Sequence, residues 1–164
     1  MSEMNEKTIA IGIDPGKDGA IAVLWPEGLG SFSHVGPRVC AFDRASYRGE
    51  LTAILPHRHY VKVVCVVEHV GAMPGQGSVS MFNFGQNFGW IQGVLDAYGI
   101  PYELVRPQKW KKEISCTSDK NTSITVAQRL FPDVDLRRTP KCKGPHDGIC
   151  EALLMAEYAR RHMA

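Results

Sequence analysis

Apolar and polar positions fall into short blocks whose period changes along the chain. "TIAIGID" (8–14) alternates apolar and small residues and predicts a buried strand. "PGKDG" follows as a turn set by Pro15 and Gly16. "AIAVLW" (20–25) predicts a second strand, close enough to the first to form an antiparallel hairpin. After the turn "PEGLG", "SFSHVG" (31–36) predicts a third strand that completes a meander. The period then shifts. Tyr47, Leu51, Ile54 and Leu55 recur at helical spacing within 44–58, and Pro56 is expected to end or distort that helix. "VKVVCVVEHV" (61–70) is a nearly unbroken β-branched run, as in a strand buried on both faces, and Glu68 lies near its end.

The second half is predominantly helical. A glycine-rich segment from Gly71 leads into a helix expected over 80–98, with Phe84, Phe88, Ile91 and Leu95 on one face and Gly99 as its C-cap. "PYELVR" (101–106) predicts a short strand. Residues 118–132 predict a helix capped by Ser118 or Asp119, and 144–162 a last helix with Ile149, Leu153 and Ala156 toward the core. The order β-β-β-α-β-α-β-α-α forces crossovers between the later strands, which makes them parallel. The expected fold class is α/β: one domain over 1–164, with a mixed five-stranded sheet flanked by helices. Neither an internal repeat nor a linker-like stretch divides it.

Composition narrows the setting. The chain has 164 residues, 44% of them hydrophobic and 22% charged, enough for one domain with a real core. No apolar run approaches the ~20 residues of a membrane span, so no membrane association is expected. The polar start "MSEMNEKT" is unlike a secretory signal. The five cysteines form no CxxC pair, which suggests a reducing, cytoplasmic setting. Net charge is only +2, but it is unevenly spread. Residues 1–100 hold seven Lys/Arg against nine Asp/Glu, and 101–164 hold twelve against eight. The clusters "RPQKWKK" (106–112) and "RRTPKCK" (137–143) flank acidic candidates and point to a polyanionic partner.

Four acids carry the candidate chemistry. Asp14 ends the first strand and Glu68 the fourth. Asp147 and Glu151 are four apart at the start of the last helix, on one face. Sites in open α/β sheets form at the carboxyl ends of parallel strands. If strands one and four are neighbours, Asp14 and Glu68 meet there, and the last helix can add its pair. Such a cluster calls for cations, because like charges a few Å apart raise one another's pKa. Mg²⁺ or Mn²⁺ prefers these hard oxygens, and two ions about 4 Å apart serve phosphodiester hydrolysis. Each acid also has a plainer reading: Asp14 as a turn former, Glu68 as an exposed strand end, Asp147 as a helix cap, Glu151 as a surface residue. His146 is a candidate additional ligand or phosphate contact. Cys142 and His146 lack a second pair to make a zinc site.

"IGIDPGKDGAIAVL", "VVEHV", "RPQKWKK" and "KGPHDGICEALLMAEYARR", in that order, resemble the RuvC-like Holliday junction resolvases of the RNase H-like superfamily, above all the compact versions carried by bacteriophages. The resemblance spans about 8–162. It implies an RNase H-like fold and a Mg²⁺-dependent homodimeric endonuclease, resident in the host cytoplasm if phage-encoded, that cuts opposed strands of a four-way DNA junction. It implies metal-ligand roles for Asp14, Glu68, Asp147 and Glu151. It implies a scissile-phosphate contact for Lys109 and a second for Lys120, with Arg106, Lys111 and Lys112 as further DNA contacts. Many relatives space the last two acids three apart, whereas here they are four apart. Where an aromatic residue commonly follows the second acid by three positions this chain has Gly71, and Met73, Phe82 and Phe84 are the candidates to replace it at the DNA. The helix at 80–98 is the expected contributor to the dimer. Two other readings remain: a nuclease acting on RNA or RNA–DNA hybrids, and a junction-binding module with a weak metal site. An actin-type ATPase lobe is excluded by length.

Overall fold

A computed structural model describes residues 7–29, 36–72 and 74–164. Five strands run in the order β1 (Thr8–Ile13), β2 (Ala20–Trp25), β3 (Gly36–Ala41), β4 (Lys62–Glu68) and β5 (Glu103–Val105) along the chain. In space the order is β3-β2-β1-β4-β5. The β1–β2 and β2–β3 pairs are antiparallel, and β1–β4 and β4–β5 are parallel. Five helices accompany them: α1 (Arg44–Ile54), α2 (Ser78–Tyr98), α3 (Pro107–Glu113), α4 (Lys120–Leu130) and α5 (Asp147–Met163). The expected mixed sheet, its meander and its parallel pairs are all present. Among the described residues no helix is long and apolar enough to cross a membrane.

The third strand is a correction. It lies at Gly36–Ala41, and most of the stretch expected to form it, 31–35, falls outside the described residues. The expected helix over 44–58 stops at Ile54, before Pro56. α3 was not anticipated at all. Seven residues are too few to show a periodicity, and Pro107 at its first turn was its main signal. Asp119, rather than Ser118, caps α4 by accepting a bond from the Asn121 N–H at 2.9 Å.

The sheet separates two cores. Ile9, Ile11, Ile13, Ile21 and Val23 point to one face and pack under α1 and α2 with Tyr47, Leu51, Ile91 and Leu95. The alternate positions Ala10, Ala20 and Ala22 point to the other face and meet α5, with Trp110, Val126 and Ala127 behind it. Large residues on one side and small ones on the other follow from the two-residue period of a strand. The small side lets α5 lie almost on the sheet. A Cβ on Gly12 would sit 2.3 Å from the Ala152 carbonyl oxygen and the Ala156 nitrogen. α5 is therefore buried from Gly148 to Ala159 on all sides, not only along the stripe of Ile149, Leu153 and Ala156.

Candidate active site

The register of β1 and β4 brings the first two acids together. Ile13 pairs with Val67, so Asp14 and Glu68, the next residues of each strand, leave the sheet side by side at its carboxyl edge. Asp14 is anchored by its backbone. Its N–H donates to the Ala20 carbonyl at 3.0 Å, and its own carbonyl accepts from the Tyr47 hydroxyl at 3.1 Å. Its side chain accepts from the Gly16 N–H at 2.9 Å. Gly19 closes the turn, where a Cβ would lie 2.3 Å from the Asp14 carbonyl oxygen. Glu68 is buried and accepts from the indole N–H of Trp110 at 3.1 Å.

α5 supplies the other two acids from its first turn and the turn after it. Gly148 sits directly on the β1–β2 turn, where a Cβ would be 2.2 Å from the Asp18 carbonyl oxygen. That contact sets the start of α5, and with it Asp147 and Glu151, beside Asp14. Arg138 fastens the same turn from outside, donating to the Asp18 carboxylate at 3.2 Å and to the Lys17 carbonyl at 3.1 Å.

The electrostatics record the crowding. Burial pushes the Asp14 carboxyl up to about 6; the Glu151 and Asp147 charges add to the rise, and the Gly16 bond opposes it. Burial likewise pushes Glu68 up to about 7, reinforced by Asp14 and opposed by the Trp110 bond. Burial also acts to raise Asp147, but the Lys120 ammonium outweighs it and holds that carboxyl below its usual range. Two ammonium groups balance the cluster. Lys111 pairs with Glu151 at 2.6 Å, where Ser123 also donates to the same oxygen at 3.3 Å. Lys120 pairs with Asp147. Asp14, Asp147, Glu151, Lys111 and Lys120 line a cleft of about 410 Å³, with Asn83, Phe84 and Asn87 of α2 on its far wall.

The other sequence candidates are more dispersed. His146 caps α5, its Nδ1 accepting from the Gly148 N–H at 3.2 Å, and lies 3.8 Å from Asp147. Arg106, Lys109 and Lys112 are exposed at the start of α3 and along it. Phe82 is exposed on α2, while Phe84 faces the cleft. Met73 lies outside the described residues. Sequence reasoning missed Trp110, Tyr47 and Ser123, which hold three site groups from behind. A lone tryptophan inside a basic run was the one visible hint.

With the lysines so engaged, no three His, Cys, Asp or Glu side chains among the described residues converge tightly enough to hold an ion. The donor set still suits a hard divalent cation: four carboxylates lie near one edge of the sheet, and their crowding, which raises Asp14 and Glu68, is what a cation would relieve.

No protein-family model matches the chain, and no curated protein matches it either. Solved structures do. The chain is similar to Thermus thermophilus RuvC in complex with a Holliday junction substrate, at 12% identity and a TM-score of 0.55, over 94% of this chain and 95% of that one. It is also similar to a second Thermus thermophilus RuvC structure, at 19% identity and a TM-score of 0.53, over 93% and 96% of the two chains. The chain has the RuvC fold. The RuvC fold accounts for the mixed sheet with its covering helices, and nearly the full length of each chain takes part in the match.

Proposed function

We propose that the chain is a metal-dependent, structure-selective DNA endonuclease that cleaves four-way junctions and related branched DNA. The observation that supports this reading is that Asp14 and Glu68 follow paired positions of neighbouring parallel strands and interact electrostatically, while Asp147 and Glu151 line the same cleft as Asp14. Support also comes from the RuvC fold and from basic residues around the cleft.

The four carboxylates would hold two Mg²⁺ ions, or Mn²⁺ in their place, which supply the positive charge and the activated water that phosphodiester hydrolysis requires. The chain's own residues do the rest. The Asp14 backbone bonds keep that carboxylate from swinging with the turn. Trp110 fixes one oxygen of Glu68. Lys111 and Lys120, once released from Glu151 and Asp147, are placed to meet the phosphate as point charges. Lys109, Lys112 and Arg106 belong to the surrounding DNA surface in this reading. Cutting both opposed strands needs two such sites, so the working unit is a homodimer. The exposed Val79 and Phe82 on the outer half of α2 offer an apolar surface for it. All five cysteines are free thiols, in keeping with the reducing cytoplasm as the setting.

The test is nicking of a synthetic four-way junction, with an RNA–DNA hybrid alongside. Wild-type protein with Mg²⁺ is expected to cut the junction and spare the hybrid. Asp14→Asn is expected to cut at least a hundredfold more slowly while binding the junction as well as wild type in Ca²⁺. Preferential cutting of the hybrid, or full cleavage by pure Asp14→Asn, overturns the reading.

A further inference from the structure

The two ammonium groups at the cleft are held very differently. Lys120 is the first residue of α4 and pairs with Asp147 from an open position, its side chain 73% exposed. Such a pair is loose, and water and salt screen it. Lys111 reaches in from α3 and pairs with Glu151 at 2.6 Å, with only 16% of its own side chain and 11% of its partner's exposed. The buried Ser123 hydroxyl donates to the same Glu151 oxygen at 3.3 Å. The Lys111 ammonium also lies 5.2 Å from the centre of the Trp110 ring, whose N–H donates to Glu68.

The reach of that ammonium goes beyond its one ion pair. Its charge also opposes the rise of Asp14 and of Glu68, so a single cation acts on three of the four acids. That is the charge a metal ion held by these carboxylates would supply. The two cannot both have Glu151. An ammonium and a divalent cation on one largely buried carboxylate repel each other, and neither water nor salt screens them much there. A carboxylate stripped of its partner in such surroundings is costly. The metal-free protein therefore needs Lys111 where it is, and an incoming metal ion must move it.

We propose that Lys111 is the resident cation of the metal-free site and competes with the divalent ion for Glu151, so that metal uptake is an exchange in which the Lys111 ammonium leaves that carboxylate. The assignment rests on the endonuclease reading above. It reconciles two demands that crowded acids otherwise set against each other. The fold stays sound without metal, and the ammonium is set free inside the cleft only when a metal ion has taken its place. Lys120, exposed and loosely paired, resists the same ion little. Metal affinity is therefore governed by a residue that is not itself a ligand.

The measurement is Mn²⁺ uptake by the full chain without DNA, read from the electron paramagnetic resonance signal of the free ion. Lys111→Met keeps an apolar stem and removes the charge. It is expected to bind Mn²⁺ about tenfold more tightly than wild type and to melt lower in chelator. Lys112→Met removes the same charge at the exposed neighbouring position and is expected to match wild type in both. Binding by Lys111→Met no tighter than wild type, or a Lys112→Met variant tightened as much, overturns the exchange. A second measurement on wild type depends on no variant folding: reductive methylation of lysines, mapped by mass spectrometry. Lys111 is expected to be protected in chelator and several-fold more reactive in saturating Mg²⁺, with Lys112 equally reactive in both. Protection of Lys111 that Mg²⁺ leaves unchanged also overturns the exchange. A wild type that takes up no Mn²⁺ overturns the endonuclease reading and the exchange together. Tighter Mn²⁺ binding by Lys111→Met, with a wild type that cuts no branched DNA, overturns the endonuclease reading alone, so the two failures are distinct.

Discussion

The two longest helices teach opposite lessons. α2 is the more apolar by sequence, yet of its 21 residues only Ile91 and Leu95 are buried, and Val79 and Phe82 are 73% and 66% exposed. α5 has arginines, glutamates and an aspartate among its 17 residues, yet it is buried from Gly148 to Ala159. Hydrophobicity did not decide which helix goes inside; shape did. Gly12, Ala10, Ala20 and Ala22 leave a shallow trough on the sheet, and α5 presents Ala152 and Ala156 to it. The opposite face is built of isoleucines and holds its helices further off. α5 is thus fixed in position and delivers two of the acids, whereas the outer half of α2 only walls the cleft and leaves its apolar side open.

The sharpest way to break this contrast is to fill the trough. Gly12→Val would drive two methyls into the α5 backbone. The expected loss is about 3 kcal/mol or more in a urea unfolding experiment, with cleavage lost alongside. A loss below about 1 kcal/mol would mean that α5 can move aside and is not the rigid element.

A second effect concerns the acids that α5 crowds. Asp14 and Glu68 have folded-state pKa values raised above those of the unfolded chain, so the folded state binds more protons between about pH 4 and 7. Stability therefore falls as pH rises through that window. In chelator, Tm is expected to drop by about 5 °C from pH 5.5 to pH 8, on the order of 2 kcal/mol, and Mg²⁺ at pH 8 is expected to restore most of it. Glu157, held low by Arg160 and Arg161 despite its burial, has the opposite sign, but its contribution is lost only as the pH falls below its usual titration range. A flat Tm in chelator, or one that Mg²⁺ does not raise, would show that the carboxylates are not in electrostatic tension.

The smallest effect is on α2 and has the reverse sign. A Cβ on Gly89 meets nothing within 4 Å. Gly89→Ala is expected to stabilise by about 0.5–1 kcal/mol through helix propensity alone, read by the same urea experiment. Destabilisation there would mean that another chain packs closely over that face.

Much of this arrangement was legible beforehand. The two-residue period of 8–14 and the β-branched run ending at Glu68 gave the paired strands whose edges carry the first two acids. The four-residue spacing of Asp147 and Glu151 placed them on one helix face. What was not legible were the partners behind the site. Trp110 looked like part of a basic surface run, because a seven-residue helix has no period to read. Lys111 reaches Glu151 because α3 turns that position toward α5. The capping of α5 by the Nδ1 of His146 was not legible either.

The sequence by itself determined most of the elements and their order, α3 and the place of β3 apart, because local periodicity and turn chemistry act over a few neighbours. Only the tertiary structure decided which helix is buried, which lysine meets which carboxylate, and that Tyr47 and Trp110 hold Asp14 and Glu68. Those contacts join residues 33 and 42 positions apart. They depend on how closely backbones can approach once side chains as small as those of Gly12, Gly19 and Gly148 stand between them.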